Sequence, residues 1–205
     1  MKTHSIQFPK FSGIRVLMMP FIQGDPSSVP EAIRAGYADV LSSTFIEKGE
    51  IGFLTIDESK AIKGIPHRGD RAKHGRALHT EAGLRPNKLY AWGSGGVTCG
   101  WAGRPNVTLD RDVKILLANN ADNTCALWNK VHEHTSHDGD IGHFASDYPL
   151  DDAILMQSGD VHEIGILTPH ESLPVESNID RQFLRIMSSG VHGREPYFTE
   201  NPLMN

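Results

Sequence analysis

The residues of this 205-residue chain that are best suited to chemistry are histidines, carboxylates and arginines. His79 and Glu81 form the one His-x-Asp/Glu pair in the sequence. Residues two apart on an extended strand project to the same side, so this imidazole and this carboxylate can take adjacent positions on one metal ion. Because the chain has eleven histidines, a chance match to this motif is expected. The pair indicates a metal site only through its position relative to other candidate ligands.

Arginines supply a second candidate site. Arg181, Phe183 and Arg185 share one face of a predicted strand, because side chains on a strand alternate with a period of two. Two arginines on one face are costly inside a core unless an anion meets them, and the planar guanidinium group matches a carboxylate. The alternative is that this face is solvated and that Leu184 and Ile186, on the other face, form the core.

The segment that precedes these arginines contains a conspicuous histidine. A turn at Gly159-Asp160 leads into an apolar strand that is predicted to run to Pro169, with His170 at its end. A second turn then leads into the strand that carries Arg181. His170 and Arg181 are eleven residues apart.

This segment resembles the C-terminal half of the Fe(II)- and 2-oxoglutarate-dependent oxygenase superfamily, in which a Gly-Asp turn, a strand ending in a metal-binding His and a following Arg recur. The resemblance implies a double-stranded β-helix, the jelly-roll or cupin-like fold. It implies that His79, Glu81 and His170 hold Fe(II), with His79 lying 91 residues before His170. It also implies that Arg181, or as second choice Arg185, binds the distal carboxylate of the cosubstrate 2-oxoglutarate. The reaction would couple decarboxylation of that cosubstrate to hydroxylation of a small-molecule or side-chain substrate.

Two other interpretations stay open. A dense cluster of histidines and acids predicts either a hydrophilic loop or, with His170 as a later ligand, a cupin-type metal site. This cluster consists of His132, Glu133, His134, His137, Asp138, Asp140 and His143. The third interpretation is a jelly-roll protein that binds a ligand or has a structural role without any metal.

The remaining pattern predicts a mainly β domain with an N-terminal helix. Pro30 fits the first turn of that helix, Gly49 is well placed to end it, and its apolar face is Ile33, Tyr37, Val40, Leu41 and Phe45. Short apolar runs separated by turns predict strands at 14–21, 51–56, 89–92, 113–118, 125–131, 154–156, 161–167 and 183–187. Many short strands are typical of a sandwich or barrel. We predict one domain, with an arm and helix over 1–50, a β core over 51–189 and a tail over 190–205.

Net charge and the length of apolar stretches limit the classes of partner that we expect. The formal net charge of −5 gives no electrostatic support for nucleic-acid binding, and no stretch approaches the roughly 20 apolar residues that span a bilayer. Cys99 and Cys125 are expected to be two reduced thiols rather than a bridge. We therefore expect a cytoplasmic protein without membrane or nucleic-acid partners, and a homodimer is compatible with the sequence.

Overall fold

The computed structural model describes residues 1–67, 74–85, 88–91, 108–134, 139–192 and 197–204. Cys99, His137 and Asp138 lie outside these ranges. The prediction that Cys99 is a reduced thiol therefore falls outside the described residues. Within the described residues, no helix combines the length and the apolarity needed to cross a bilayer.

The described residues are mainly β, as the sequence predicts. The strands are β1 (Lys2–Ser5), β2 (Arg15–Ile22), β3 (Ile51–Ala61), β4 (Gly83–Arg85), β5 (Lys88–Ala91), β6 (Thr108–Leu109), β7 (Lys114–Asn119), β8 (Cys125–Leu127), β9 (Ile154–Leu155), β10 (Asp160–Gly165), β11 (His170–Ser172), β12 (Ile179–Met187) and β13 (Val191–His192). One α-helix, α1 (Glu31–Ser43), lies between β2 and β3, and short 3-10 turns occur at Pro26–Ser28, Gly142–Asp147 and Leu150–Asp152.

Three antiparallel sheets are present among the described residues. The large sheet has the order β1-β10-β7-β12-β3-β2, a three-stranded sheet has the order β11-β8-β9, and a third sheet has the order β13-β6-β5-β4. Strand β12 lies inside the large sheet, paired along its whole length with β3 on one side and over residues 183–187 with β7 on the other. Arg185 therefore has a neighbouring strand on both sides, whereas Arg181 is paired in register with Ser59 of β3.

The pairings are nested around the β8–β9 pair. Strand β8 pairs with β9, β7 with β10, and β3 with β12, all antiparallel. An isolated antiparallel bridge joins His79 to His170 of β11, and in the order of nesting it lies between the β7–β10 pair and the β3–β12 pair. Successive members of this nest alternate between the large sheet and the three-stranded sheet.

Both faces of the large sheet are buried. On one face, Leu184 and Ile186 of β12 pack with the apolar side of α1, including Tyr37 and Leu41. The other face packs toward the three-stranded sheet, where Leu117 contributes to a second apolar cluster. The arginine face of β12 is therefore interior rather than solvated, because Arg181 and Arg185 are 2% and 1% exposed.

Several element boundaries differ from the sequence prediction. Helix α1 ends at Ser43, before Phe45 and Gly49, because Thr44 is extended and its hydroxyl is hydrogen-bonded to His4 Nε2 at 3.2 Å. Strand β8 stops at Leu127, four residues before the predicted end.

The predicted strand that ends at His170 is in fact two strands. Strand β10 stops at Gly165, where a tight turn is closed by hydrogen bonds in both directions between Gly165 and Thr168. His170 therefore begins β11 instead of ending the preceding strand. The N-terminal arm also contains an unpredicted edge strand, β1, which pairs with β10.

The described part of the C-terminal tail is packed against the domain. The amide of Thr199 donates to the Leu17 carbonyl at 2.7 Å. The side-chain amide of Asn201 donates to the carbonyls of Pro20 and Ser28, both at 2.7 Å. Residues 197–204 thus cover β2.

Candidate metal and anion site

His79 and His170, distant in sequence, form a backbone pair. Each amide donates to the other's carbonyl at 2.9 Å, and the ring centroids lie 4.1 Å apart. The Nδ1 atom of His79 is 2.7 Å from the Ala77 carbonyl, and that of His170 is 2.9 Å from the Thr168 carbonyl. Since a carbonyl oxygen only accepts, both Nδ1 atoms carry the proton and both lone pairs are on Nε2, the tautomer that a metal ligand requires.

Glu81 completes this group. Its Oε1 atom is 3.5 Å from His170 Nε2, and its Oε2 atom accepts a hydrogen bond from Arg185 Nη1 at 2.8 Å. Two ligand atoms that lie about 2.1 Å from one ion at right angles are roughly 3 Å apart. The separation of Nε2 and Oε1 is thus close to that of two ligands of one ion, and the side chains of Glu81 and His170 are each 6% exposed.

The three residues line a small cavity of about 30 Å3. Its lining consists of His67, His79, Glu81, Leu117, Cys125, His170, Ser172, Arg181, Phe183 and Arg185. A space of this size holds an ion or one to two water molecules. All five residues that the sequence proposed for metal or carboxylate binding are brought to this one cavity.

Arg181 is a cation that is almost wholly buried, with 2% of the residue exposed. Among the described residues, nothing accepts a hydrogen bond from its Nε or Nη1 atom. Its guanidinium carbon lies 5.3 Å from the centre of the Phe183 ring. Burial lowers the pKa of Arg181, although Cys125 and Asp57 oppose this change. Native proteins rarely leave such a group unsatisfied, so the position calls for an anion.

Ser59 adds a second unsatisfied group beside Arg181. The two residues are directly opposite each other on β3 and β12, so their side chains project from the same face. The Ser59 hydroxyl is buried and also lacks a hydrogen-bonding partner among the described residues. A guanidinium group and a hydroxyl together form a suitable binding site for one carboxylate.

The charge of Asp57 raises the pKa of Arg181, but among the described residues Asp57 accepts no hydrogen bond from the Nε or Nη1 atom of that guanidinium group. The Asp57 carboxylate is 3.0 Å from His67 Nε2 and 3.2 Å from Arg15 Nε. Burial would raise the pKa of Asp57, but the hydrogen bond from His67 and the nearby charges of His67, Arg15 and Arg181 outweigh it and lower the pKa. The negative charge of Asp57 is therefore shared among groups at the edge of the cavity.

Backbone packing fixes the segment between His79 and Glu81. The amide of Thr80 donates to the Gly139 carbonyl at 2.9 Å, and the Thr80 hydroxyl is hydrogen-bonded to His134 Nε2 at 2.7 Å. Gly139 has φ +73, and a Cβ atom there would lie 2.1 Å from the Thr80 carbonyl oxygen. Glycine is thus required at this position for both its conformation and its lack of a side chain.

An ion pair joins the segments that carry the two histidines. Arg76 Nε donates to Glu171 Oε2 at 2.9 Å, and Arg76 Nη1 donates to the carbonyls of Ala145 and Tyr148. Glu171 also accepts from the Ala77 amide at 3.2 Å. Because Ala77 in turn accepts from His79, this pair supports the orientation of the histidine ring.

The alternative cupin-type cluster is only partly described. His132 and His134 have ring centroids 5.5 Å apart, and His132 Nδ1 is 2.5 Å from the Tyr148 hydroxyl. His143 is exposed and its ring lies 4.1 Å from that of Phe144. Asp140 accepts from the Gly142 amide. Two further members of the cluster, at positions 137 and 138, lie outside the described residues.

No set of three His, Cys, Asp or Glu side chains in the described residues is arranged, as placed, to hold a metal ion. The His79, Glu81 and His170 group has the required donor chemistry, but not a complete coordination geometry. A comparison of the chain with family models, with curated proteins and with solved structures found no match.

Sequence reasoning did not identify several residues at or beside the site, among them His67, Ser172, Ser59, Arg76 and Glu171. Ser59 has no motif of its own and is recognised only through its pairing with Arg181. Arg76 and Glu171 are distant in sequence, although the position of Glu171 immediately after a candidate ligand could have suggested a supporting role.

Proposed function

We propose that this protein is an Fe(II)- and 2-oxoglutarate-dependent oxygenase built on a double-stranded β-helix. The nested pairings support the fold, since a jelly roll is a long antiparallel hairpin wound so that successive strand pairs alternate between two sheets. In this assignment β3, residues 78–80, β7 and β8 form the first arm. Strands β9, β10, β11 and β12 form the second arm.

The observation that carries the functional proposal is the position of Arg181. A buried guanidinium group, two of whose donors are unsatisfied among the described residues, lines the same cavity as His79, Glu81 and His170. A ligand that is chelated to a metal at one end and anionic at the other would satisfy both groups, and 2-oxoglutarate is such a ligand. Ser59 supplies a further hydrogen bond to its distal carboxylate.

The donor set fits Fe(II). Two imidazoles and one carboxylate on adjacent positions are the ligands of non-haem iron oxygenases, and they leave the remaining positions for cosubstrate and oxygen. When bound, the iron supplies the activation of dioxygen. The protein itself fixes the imidazole tautomers through Ala77 and Thr168, and it provides Arg181 to orient the cosubstrate.

The first test is anaerobic titration of purified protein with Fe(II) and then 2-oxoglutarate, followed by the visible charge-transfer band of the chelate. We expect a band in the wild type and none in His79→Ala, Glu81→Ala or His170→Ala. Arg181→Met should still bind Fe(II), but its Kd for 2-oxoglutarate should rise by about 10- to 100-fold, because one charge-assisted interaction contributes roughly 1.5–3 kcal/mol.

His132→Ala is the matched control, since it changes a histidine outside the cavity lining. Loss of metal in this variant rather than in His79→Ala would favour the cupin-type site. Absence of the band in the wild type, with metal content unchanged by His79→Ala and His170→Ala, would refute the oxygenase. Release of succinate from 2-oxoglutarate under air provides an activity assay that does not require the substrate to be known.

A jelly-roll binding protein without metal is the second candidate. It is favoured by the size of the cavity, since about 30 Å3 accommodates an ion or small solvent molecules but not 2-oxoglutarate unless the lining residues move. The same titration separates the two functions, because a binding protein would show neither iron uptake nor succinate release.

A further inference from the structure

The second arginine of β12 has a different role from the first. We infer that Arg185 is a positioning residue, which holds one oxygen of Glu81 so that the other oxygen faces the histidines. This inference rests on the proposed metal site, and it assigns to Arg185 a role in metal binding rather than in cosubstrate binding.

The contacts of Glu81 divide between its two oxygens. Arg185 Nη1 donates to Oε2 at 2.8 Å, whereas Oε1 is 3.5 Å from His170 Nε2. A carboxylate with one oxygen held by a guanidinium group offers its other oxygen to an ion as a single ligand. The pair is buried, with side chains 1% and 6% exposed, so water does not compete for the hydrogen bond.

Arg185 is itself held in place. On the central strand β12 it lies opposite Thr55 of β3 and Leu117 of β7. Its Nη2 atom contacts Met18 Sδ at 3.1 Å. The guanidinium group is therefore fixed both by its strand and by a sulfur atom at its tip.

The contact from Met18 depends on an irregularity in β2. The register of β2 against β3 shifts between Val16 and Met19, and Met18 has φ +46, which is rare for a residue other than glycine. The Met18 amide donates to Thr55 Oγ1 at 3.2 Å. This strained turn of the backbone directs the Met18 side chain to the interior, where it is 3% exposed beside Arg185.

The experiment measures the Kd for Co(II), used as an oxygen-stable probe of the Fe(II) site, by calorimetry of the full-length chain. We expect Arg185→Met to weaken binding by about 10- to 100-fold, the usual effect of removing a group that orients a metal ligand. Arg185→Lys, which keeps the charge, should recover part of this loss.

A double-mutant cycle tests whether Arg185 acts through Glu81. In a Glu81→Gln background, which keeps one weaker oxygen ligand, Arg185→Met should cause a smaller loss of Co(II) affinity than it causes in the wild type. A general structural role would instead weaken binding equally in both backgrounds. Should Arg185→Met fail to fold by circular dichroism, Arg185→Gln takes its place in the cycle, because glutamine is polar but uncharged and too short to make the hydrogen bond that Arg185 Nη1 donates to Glu81 Oε2.

Leu184→Ala is the matched control, because Leu184 is the neighbour of Arg185 on the opposite face of β12, in the cluster that packs against α1. It should lower stability and leave the Kd for Co(II) unchanged. Normal binding by Arg185→Met or its Gln replacement, with binding by the wild type intact, would overturn this inference and leave the oxygenase proposal standing. Failure of the wild type to bind Co(II) would overturn both.

Discussion

The amides of His79 and His170 donate hydrogen bonds to each other's carbonyls at 2.9 Å, which brings two imidazoles from positions 91 residues apart to a ring separation of 4.1 Å. Their proximity is set by backbone pairing and does not depend on the side chains themselves. Replacing either imidazole should therefore remove a ligand without separating the segments. This property makes single-residue tests of the site interpretable.

Removing the unsatisfied cation should stabilise the ligand-free protein. Arg181→Met is expected to raise the free energy of unfolding by about 1–4 kcal/mol, since it replaces a buried guanidinium group, two of whose donors are unsatisfied among the described residues, with an apolar side chain of similar length. Urea denaturation of metal-free protein at neutral pH measures this. Arg185→Met should change stability in the opposite direction, by about 3–5 kcal/mol, because it leaves Glu81 buried without this cation. Equal effects of the two variants would contradict the different roles assigned to these arginines.

The close approach of Gly139 to Thr80 should be essential to the site. Gly139→Ala would place a Cβ atom 2.1 Å from the Thr80 carbonyl and must displace the segment between His79 and Glu81. We expect the Kd for Co(II) to rise by at least about tenfold, as for other changes to ligand orientation.

Gly64→Ala is a control for the backbone conformation alone. Gly64 has φ +78, similar to Gly139, but a Cβ atom there meets nothing within 4 Å. This variant should cost about 1 kcal/mol of stability and leave metal affinity unchanged. Unaltered metal binding by Gly139→Ala would show that the site tolerates movement of Thr80.

His162 should make stability depend on pH. It is 3% exposed, and within the described part of the chain neither ring nitrogen has a hydrogen-bonding partner. Burial is the main cause that lowers its pKa below 6.5, and the positive N-terminus and Lys2 act in the same direction. The neutral form is thus favoured in the folded state, while the unfolded chain takes up a proton near pH 6.5.

The free energy of unfolding should therefore fall as pH decreases below about 6.5, by at most about 1.4 kcal/mol per pH unit from this one group. His162→Leu should remove that part of the dependence. Urea denaturation of both proteins between pH 7.5 and about 5 measures the difference. Parallel pH profiles for wild type and variant would contradict the prediction.

Glu58 should hold the N-terminal arm against the domain. Its Oε2 atom accepts from the amides of Ser12, Gly13 and Ile14 at 2.7, 2.6 and 3.1 Å. Its Oε1 atom accepts from the Tyr37 hydroxyl at 2.7 Å. Burial alone would raise the pKa of Glu58, but hydrogen bonds, with that from Gln182 the largest, outweigh it and lower the pKa to about 2.

This carboxylate should lose its stabilising effect only in strong acid, as pH falls from about 4.5 to about 2. Glu58→Gln should lower the free energy of unfolding at pH 7 by about 2 kcal/mol or more, because buried donors are left unsatisfied. It should also flatten the acid profile in that window. Limited proteolysis should cleave the arm more readily in the variant, and an unchanged cleavage rate would show that other contacts hold the arm.

Much of the β architecture was predictable because it depends on local patterns. Short apolar runs separated by turns identified the positions of β3, β7, β10 and β12, although boundaries moved by several residues. The edge strand β1 was missed because its residues are polar, and only pairing with β10 makes them a strand. The early end of helix α1 was not predicted, because Thr44 is hydrogen-bonded to His4, which lies far away in the sequence.

The sequence by itself identified the candidate residues. Residue type, the spacing of two between His79 and Glu81 and the spacing of eleven between His170 and Arg181 are all properties of the chain alone. What only the tertiary structure decided is how the two arginines differ. They share one face of β12, yet Arg185 reaches Glu81 while Arg181 lies opposite Ser59 with unsatisfied donors. Strand period places both side chains inside, but their neighbours come from distant strands. Long-range packing alone therefore determines that Arg185 is hydrogen-bonded to a carboxylate, while Nε and Nη1 of Arg181 have no acceptor among the described residues.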